Sequence, residues 1–142
     1  MNGKYETLKK LNSIIDNSKL LIFDGDGTIY DTLGMWDSVD FQLISKIGGY
    51  IDKKFVGKQR DNFLHNNNTG DVFLKYAEFI RDTYNLDYSV EDVNNFRNDI
   101  AKNYLKNVEF KNGFLKFLES SKQNGKKVCL ATLSSKWVID LY

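Results

Sequence analysis

The chain has 142 residues, 42% of them apolar and 27% charged, which suits one globular domain or a core with a small insertion. Twenty basic residues against nineteen acidic ones give a formal net charge of +1 with no block of like charge, so a nucleic-acid footprint is not expected. No apolar run is of secretory or membrane-spanning type, which points to a cytoplasmic protein, and the single cysteine, Cys129, rules out an internal disulfide.

In chain order, Tyr5, Leu8, Leu11, Ile14 and Ile15 recur at helical spacing and predict an amphipathic helix over residues 4–16 whose apolar stripe needs a surface to cover. Lys19 to Phe23 is an almost wholly apolar run that stops abruptly at Asp24-Gly25-Asp26-Gly27, the pattern of a strand buried on both faces. From Met35 to Asn107 the sequence is helical in character. Thr69 is the candidate cap of a helix through Asp71, Phe73, Tyr76, Ala77 and Ile80, and Ser89 with Asp92 resembles a capping box. Asn66 to Gly70 reads as a solvated loop, and His65, the only histidine, as an exposed loop residue.

Further on, Asn112 is the candidate cap of a helix through Phe114, Leu115, Phe117 and Leu118, with Gly125 at its end. A second strand, Lys127 to Ala131, then runs straight into Thr132, and Cys129 inside it has the setting of a buried, inert thiol. This order predicts an α/β fold with parallel strands joined by a right-handed crossover.

Two carboxylates two residues apart, at the carboxyl end of a strand and followed by glycine, stand where ligands bind in open α/β sheets. Adjacent anions repel, so the pair calls for a cation, and hard oxygen donors suit magnesium with its retained waters. A carboxylate can attack phosphorus to form an acyl phosphate, which makes Asp24 the candidate nucleophile. Asp26 is the candidate acid and base. Gly25 and Gly27 let the backbone turn tightly and aim N–H groups at phosphate oxygens. A calcium loop of EF-hand type fails on spacing, because counting from Asp24 its glycine position falls on Ile29 and its bidentate acid on Met35.

The stretch Leu21-Ile22-Phe23-Asp24-Gly25-Asp26-Gly27-Thr28-Ile29 resembles the first motif of the haloacid dehalogenase superfamily, and Val128-Cys129-Leu130-Ala131-Thr132 is similar to its second. The resemblance implies that Asp24 is nucleophile and metal ligand. It further implies that Asp26 is acid/base and binds Mg2+ through its main-chain carbonyl, and that Gly25, Gly27, Thr132 and Leu133 hold phosphate. Ser134 and Ser135 fall where a helix N-terminus would help to hold an anion. The second acid speaks for phosphoryl transfer over dehalogenation.

Gly34-Met35-Trp36, Tyr84-Asn85-Leu86 and Lys111-Asn112-Gly113 resemble the helical-cap subgroup that contains β-phosphoglucomutase-like phosphatases. The implied fold is an incomplete Rossmannoid parallel sheet from residues 1–33 and 108–142, with an inserted α-helical cap over 34–107. In that cap Trp36 is expected in the core and not as a lining of the lid. Family members continue with a lysine and further acids, so the chain is expected to stop before the site is complete, with Lys136 no substitute for that lysine and Asp140 a solvated helix residue.

The expected function is magnesium-dependent phosphatase or phosphomutase action on a small phosphorylated metabolite, with no nucleic-acid or membrane partner. Self-association or a complementing chain would act through the unpaired sheet edge. The alternative is an inactive fragment or phosphate-binding module of the same family.

Overall fold

The computed structural model describes residues 2–67 and 69–141. Its elements run α1 (Asn2–Asn17), β1 (Leu20–Phe23), α2 (Met35–Lys46), α3 (Lys53–Asn66), α4 (Val72–Thr83), α5 (Val90–Leu105), α6 (Phe114–Gln123), β2 (Lys127–Leu130) and α7 (Lys136–Ile139). They fall into two compact units, Met1–Asp31 with Glu109–Ser135, and Thr32–Val108 with Lys136–Tyr142. Among the described residues no helix is long and apolar enough to cross a membrane.

The first unit holds the predicted parallel sheet. β1 and β2 pair in register from Leu20 opposite Lys127 to Phe23 opposite Leu130, and the Ala131 N–H continues the ladder to the Phe23 carbonyl at 2.8 Å. The α6 helix packs on one face, where Phe23 meets the ring edges of Phe114 at 5.4 Å and Phe117 at 6.0 Å. The other face is open, and this corrects the expectation of a strand buried on both sides: Leu20 is 49% exposed and Ile22 62%. An apolar run reports that a strand is sticky, not how many layers cover it. Cys129, in register with Ile22, is likewise exposed rather than buried.

The α1 helix forms as the periodicity predicts, but Tyr5, Leu8, Leu11 and Ile14 remain exposed, so its stripe is not buried. Its C-terminus is tied down by Lys126, whose Nζ donates to the carbonyls of Ile15 at 2.8 Å and of Asp16 and Ser18 at 3.0 Å. The chain on either side of the inserted helices pairs antiparallel: Asp31 N–H to Glu109 carbonyl and Lys111 N–H to Ile29 carbonyl, both at 2.8 Å, with a Lys111–Asp31 ion pair beside them.

The second unit is helical. Val39 and Leu43 of α2, Tyr76 and Ile80 of α4, and Val93 and Ile100 of α5 recur at helical spacing and form its core together with Val138 of α7. Trp36 packs partly buried against that core. Inside lies a charged group. Asp40, with no exposed surface, accepts from Arg97 Nε at 2.7 Å and from Arg60 at 3.3 Å. The Tyr76 hydroxyl donates to it at 3.4 Å, and the Arg97 guanidinium lies 4.8 Å over the Trp36 ring. Burial, then the Asp40 charge, pushes the Tyr76 phenol far above its ordinary value.

The caps differ in part from expectation. Ser89 does cap α5, its Oγ accepting from the Asp92 N–H at 3.0 Å, but the Asp92 carboxylate returns to the Ser89 hydroxyl, which donates to it at 2.7 Å, where a full capping box would engage the Ser89 N–H. Asp71, not Thr69, caps α4, accepting from Leu74 N–H at 3.0 Å. At α6 the cap is Gly113 in the left-handed region, not Asn112. A carboxylate one turn ahead of the free N–H groups outcompetes a more distant hydroxyl, and a left-handed glycine enters the helix with no side-chain bond. Gly125, at φ 71°, ends α6 as predicted. His65 is exposed, but on the last turn of α3 and not in a loop. Asn68, in the predicted loop, lies outside the described residues.

Candidate functional site at the strand ends

Parallel pairing of β1 and β2 ends both strands at the same level, so the segments that follow them emerge side by side. After Phe23 the backbone turns at once. The N–H groups of Thr28, Ile29 and Tyr30 converge on the Gly25 carbonyl at 3.2, 3.0 and 3.1 Å, and Gly27 takes φ 70°, which a side chain would resist. Asp24 is exposed at the tip, its Oδ1 accepting from the Gly25 N–H at 2.8 Å.

Thr132 stands against this loop. A Cβ added to Gly25 would lie 3.3 Å from Thr132 Oγ1 and 3.6 Å from the Tyr30 ring, so a side chain there would crowd Thr132. Thr132 Oγ1 accepts from the Ser134 N–H at 3.0 Å, and Ser134 Oγ donates to Asp26 Oδ2 at 2.6 Å. The structure thus joins Gly25, Asp26, Thr132 and Ser134 in one contact set next to Asp24. Leu133 follows Thr132 with its side chain 79% exposed, and Gly27 shapes the turn.

Two participants were not foreseen in these places. Ser134 was expected as a helix-terminal anion contact, yet its N–H is taken by Thr132 and its hydroxyl by Asp26. The only signal in sequence was a hydroxyl two residues past the threonine. Tyr30 is the other: buried, and 5.3 Å from the Phe110 ring, it has a phenol raised above the ordinary value of about 10 by burial first and the Asp26 charge second. Lys136 pairs with Asp140 on the exposed side of α7.

Among the described residues no group of three or more His, Cys, Asp or Glu side chains is arranged to hold a metal ion. Asp24 and Asp26 nevertheless fit magnesium in donor type, as hard oxygens for a cation that keeps several of its waters.

No family model matches this chain, and no curated protein matches it. Solved structures do. A predicted phosphoglycolate phosphatase from Haemophilus somnus aligns with TM-score 0.63 and 13% identity over 88% of this chain and 57% of its own. A provisionally named β-phosphoglucomutase from Thermotoga maritima aligns with TM-score 0.63 and 16% identity over 87% of this chain and 54% of its own. A conserved haloacid dehalogenase-like protein of unknown function from Agrobacterium tumefaciens gives 0.54 and 18%, over 88% and 51%.

The chain therefore has the α/β fold of haloacid dehalogenase-like proteins, with helices inserted after the first strand. It spans about half the length of the solved structures it matches.

Proposed function

We propose that the chain carries the nucleophile half of a magnesium-dependent phosphoryl-transfer site that acts on a small phosphorylated metabolite in the cytoplasm. The observation that carries the reading is the convergence of the Asp24-Gly25-Asp26 loop with Thr132 at the ends of two parallel strands. The names of the fold relatives, a phosphoglycolate phosphatase and a β-phosphoglucomutase, supply the substrate class. Both substrates are phosphate monoesters of small hydroxylated molecules. The inserted helices would serve as the cap that selects among them.

In the first half-reaction an Asp24 oxygen attacks phosphorus. The bond from phosphorus to the leaving oxygen breaks, its electron pair goes to that oxygen, and Asp26 supplies the proton. In the second, water attacks the acyl phosphate while Asp26 takes up its proton. The bond to Asp24 then breaks, giving back the carboxylate and phosphate. Gly25, its N–H bonded to Asp24 Oδ1, keeps the loop close to Thr132, Gly27 shapes the turn, and Thr132 and Leu133 would hold phosphate oxygens through hydroxyl and main chain. A magnesium ion bound by Asp24 and the Asp26 carbonyl would supply positive charge against the phosphate.

A second reading, a phosphate-binding module without turnover, would use the same loop beside Thr132. Association with a second copy or a complementing chain through the unpaired sheet edge belongs to either version, supported by a sheet of only two paired strands among the described residues. Release of phosphate from small monoesters, with and without magnesium, decides between them. We expect turnover that needs the metal and falls by about 10³-fold or more in Asp24→Asn. Phosphate binding without turnover would favour the module, and equal rates in wild type and Asp24→Asn would sink the nucleophile assignment.

A further inference from the structure

We infer that Ser134 is a positioning residue for Asp26, fixing the side chain of the proton-transfer carboxylate from the far strand. The two residues are 108 positions apart in sequence and meet only because β1 and β2 end side by side.

The geometry is specific. The Ser134 hydroxyl donates to Asp26 Oδ2 at 2.6 Å, well within the range of an O–H···O hydrogen bond. Ser134 does not hang freely from the chain: its N–H is held at 3.0 Å by Thr132 Oγ1, and Thr132 in turn abuts Gly25. Strand β2 thereby reaches back to the loop on β1 twice, by packing at Gly25 and by a hydrogen bond at Asp26. Both Asp26 and Ser134 are half-buried, so the bond is shielded from full competition with water.

The consequence concerns orientation. Asp26 sits on a loop whose main chain is set by the convergence on the Gly25 carbonyl, and the Ser134 bond adds a fixed donor at its side chain. A proton donor works only within hydrogen-bond reach of the atom it serves, so a carboxyl that samples several rotamers spends part of its time out of range. The Ser134 hydroxyl favours the one seen here. Because it reaches Asp26 from the same segment that carries Thr132, the proton-transfer group and the phosphate-holding hydroxyl move as one piece.

The kinetic part of this inference rests on the phosphoryl-transfer reading; the conformational part does not. Three-bond couplings from the backbone to Asp26 Cγ, measured by NMR on the full chain, read its rotamer without turnover. We expect one rotamer in wild type, averaging in Ser134→Ala, and a single rotamer again in Ser134→Thr, which keeps the hydroxyl. Unchanged couplings in Ser134→Ala would overturn the inference.

In kinetics, a misplaced proton donor matters most when the leaving oxygen is basic. Ser134→Ala should lower kcat on an alkyl phosphate such as glycerol 2-phosphate by about 10- to 100-fold, with a small change on p-nitrophenyl phosphate and rescue by Ser134→Thr. Equal losses on both substrates would assign Ser134 to phosphate binding and refute the positioning role. Rotamer averaging with no turnover even in wild type would leave Ser134 as the anchor of Asp26 and reject the catalytic reading instead.

Discussion

Asp40 is a carboxylate with no solvent contact, held between Arg97, Arg60 and the Tyr76 hydroxyl. A buried charge is tolerated only while its partners stay, so Asp40→Ala, which strands Arg97 inside the helical unit, should cost about 3–5 kcal/mol. Urea unfolding measures this, and a loss under about 1 kcal/mol would mean that Arg97 finds another partner. Asp40→Asn keeps an oxygen for Arg97 and should cost less.

None of this network was legible in the sequence, because Asp40 and Arg97 are 57 positions apart and charged residues on helices ordinarily face water. The Asp24 loop was legible as a turn for the opposite reason: its glycines and carboxylates are adjacent in sequence, and the strand before it fixes where it stands. The Ser134 bond combines the two cases, being a readable residue type in a readable place whose partner is known only once the strands are paired.

For whole elements, periodicity and turn chemistry carried far. Helix α1 and both strands stand within a residue or two of where apolar spacing placed them, and the helical character read from Met35 to Asn107 resolves into four separate helices, α2 to α5. What spacing could not supply was the covering of each face. The stripe on α1 and the outer face of β1 look in sequence like surfaces destined for a core, and both are exposed.

What holds α1 in place is instead polar, through the three carbonyls that Lys126 engages at its C-terminus. Ammonium donors at a helix C-terminus satisfy orphan carbonyls and oppose the dipole. Lys126→Met should therefore release the last turn of α1, speeding amide hydrogen exchange there by about 5-fold, equivalent to about 1 kcal/mol. Exchange unchanged in that turn would mean that Lys126 contributes nothing to it.

The whole chain has a pH signature, since each unit encloses one tyrosine whose phenol is raised by burial and a neighbouring carboxylate: Tyr30 beside Asp26, Tyr76 beside Asp40. An unfolded phenol gives up its proton near pH 10, whereas these hold theirs longer. Above about pH 10 the unfolded state binds fewer protons than the folded one, so stability present at lower pH is lost as pH rises. Denaturant midpoints taken from pH 8 to pH 11 should fall, with Tyr76→Phe flattening part of the decline; a level profile would contradict it.

The open face of the sheet carries one more consequence. Cys129 is the chain's sole thiol, and it stands exposed in register with Ile22. A polarity-sensitive fluorophore attached there would sit on the apolar strip itself, and its emission would shift to the blue whenever a protein surface closed over the strands, turning this cysteine into a built-in gauge of occupancy.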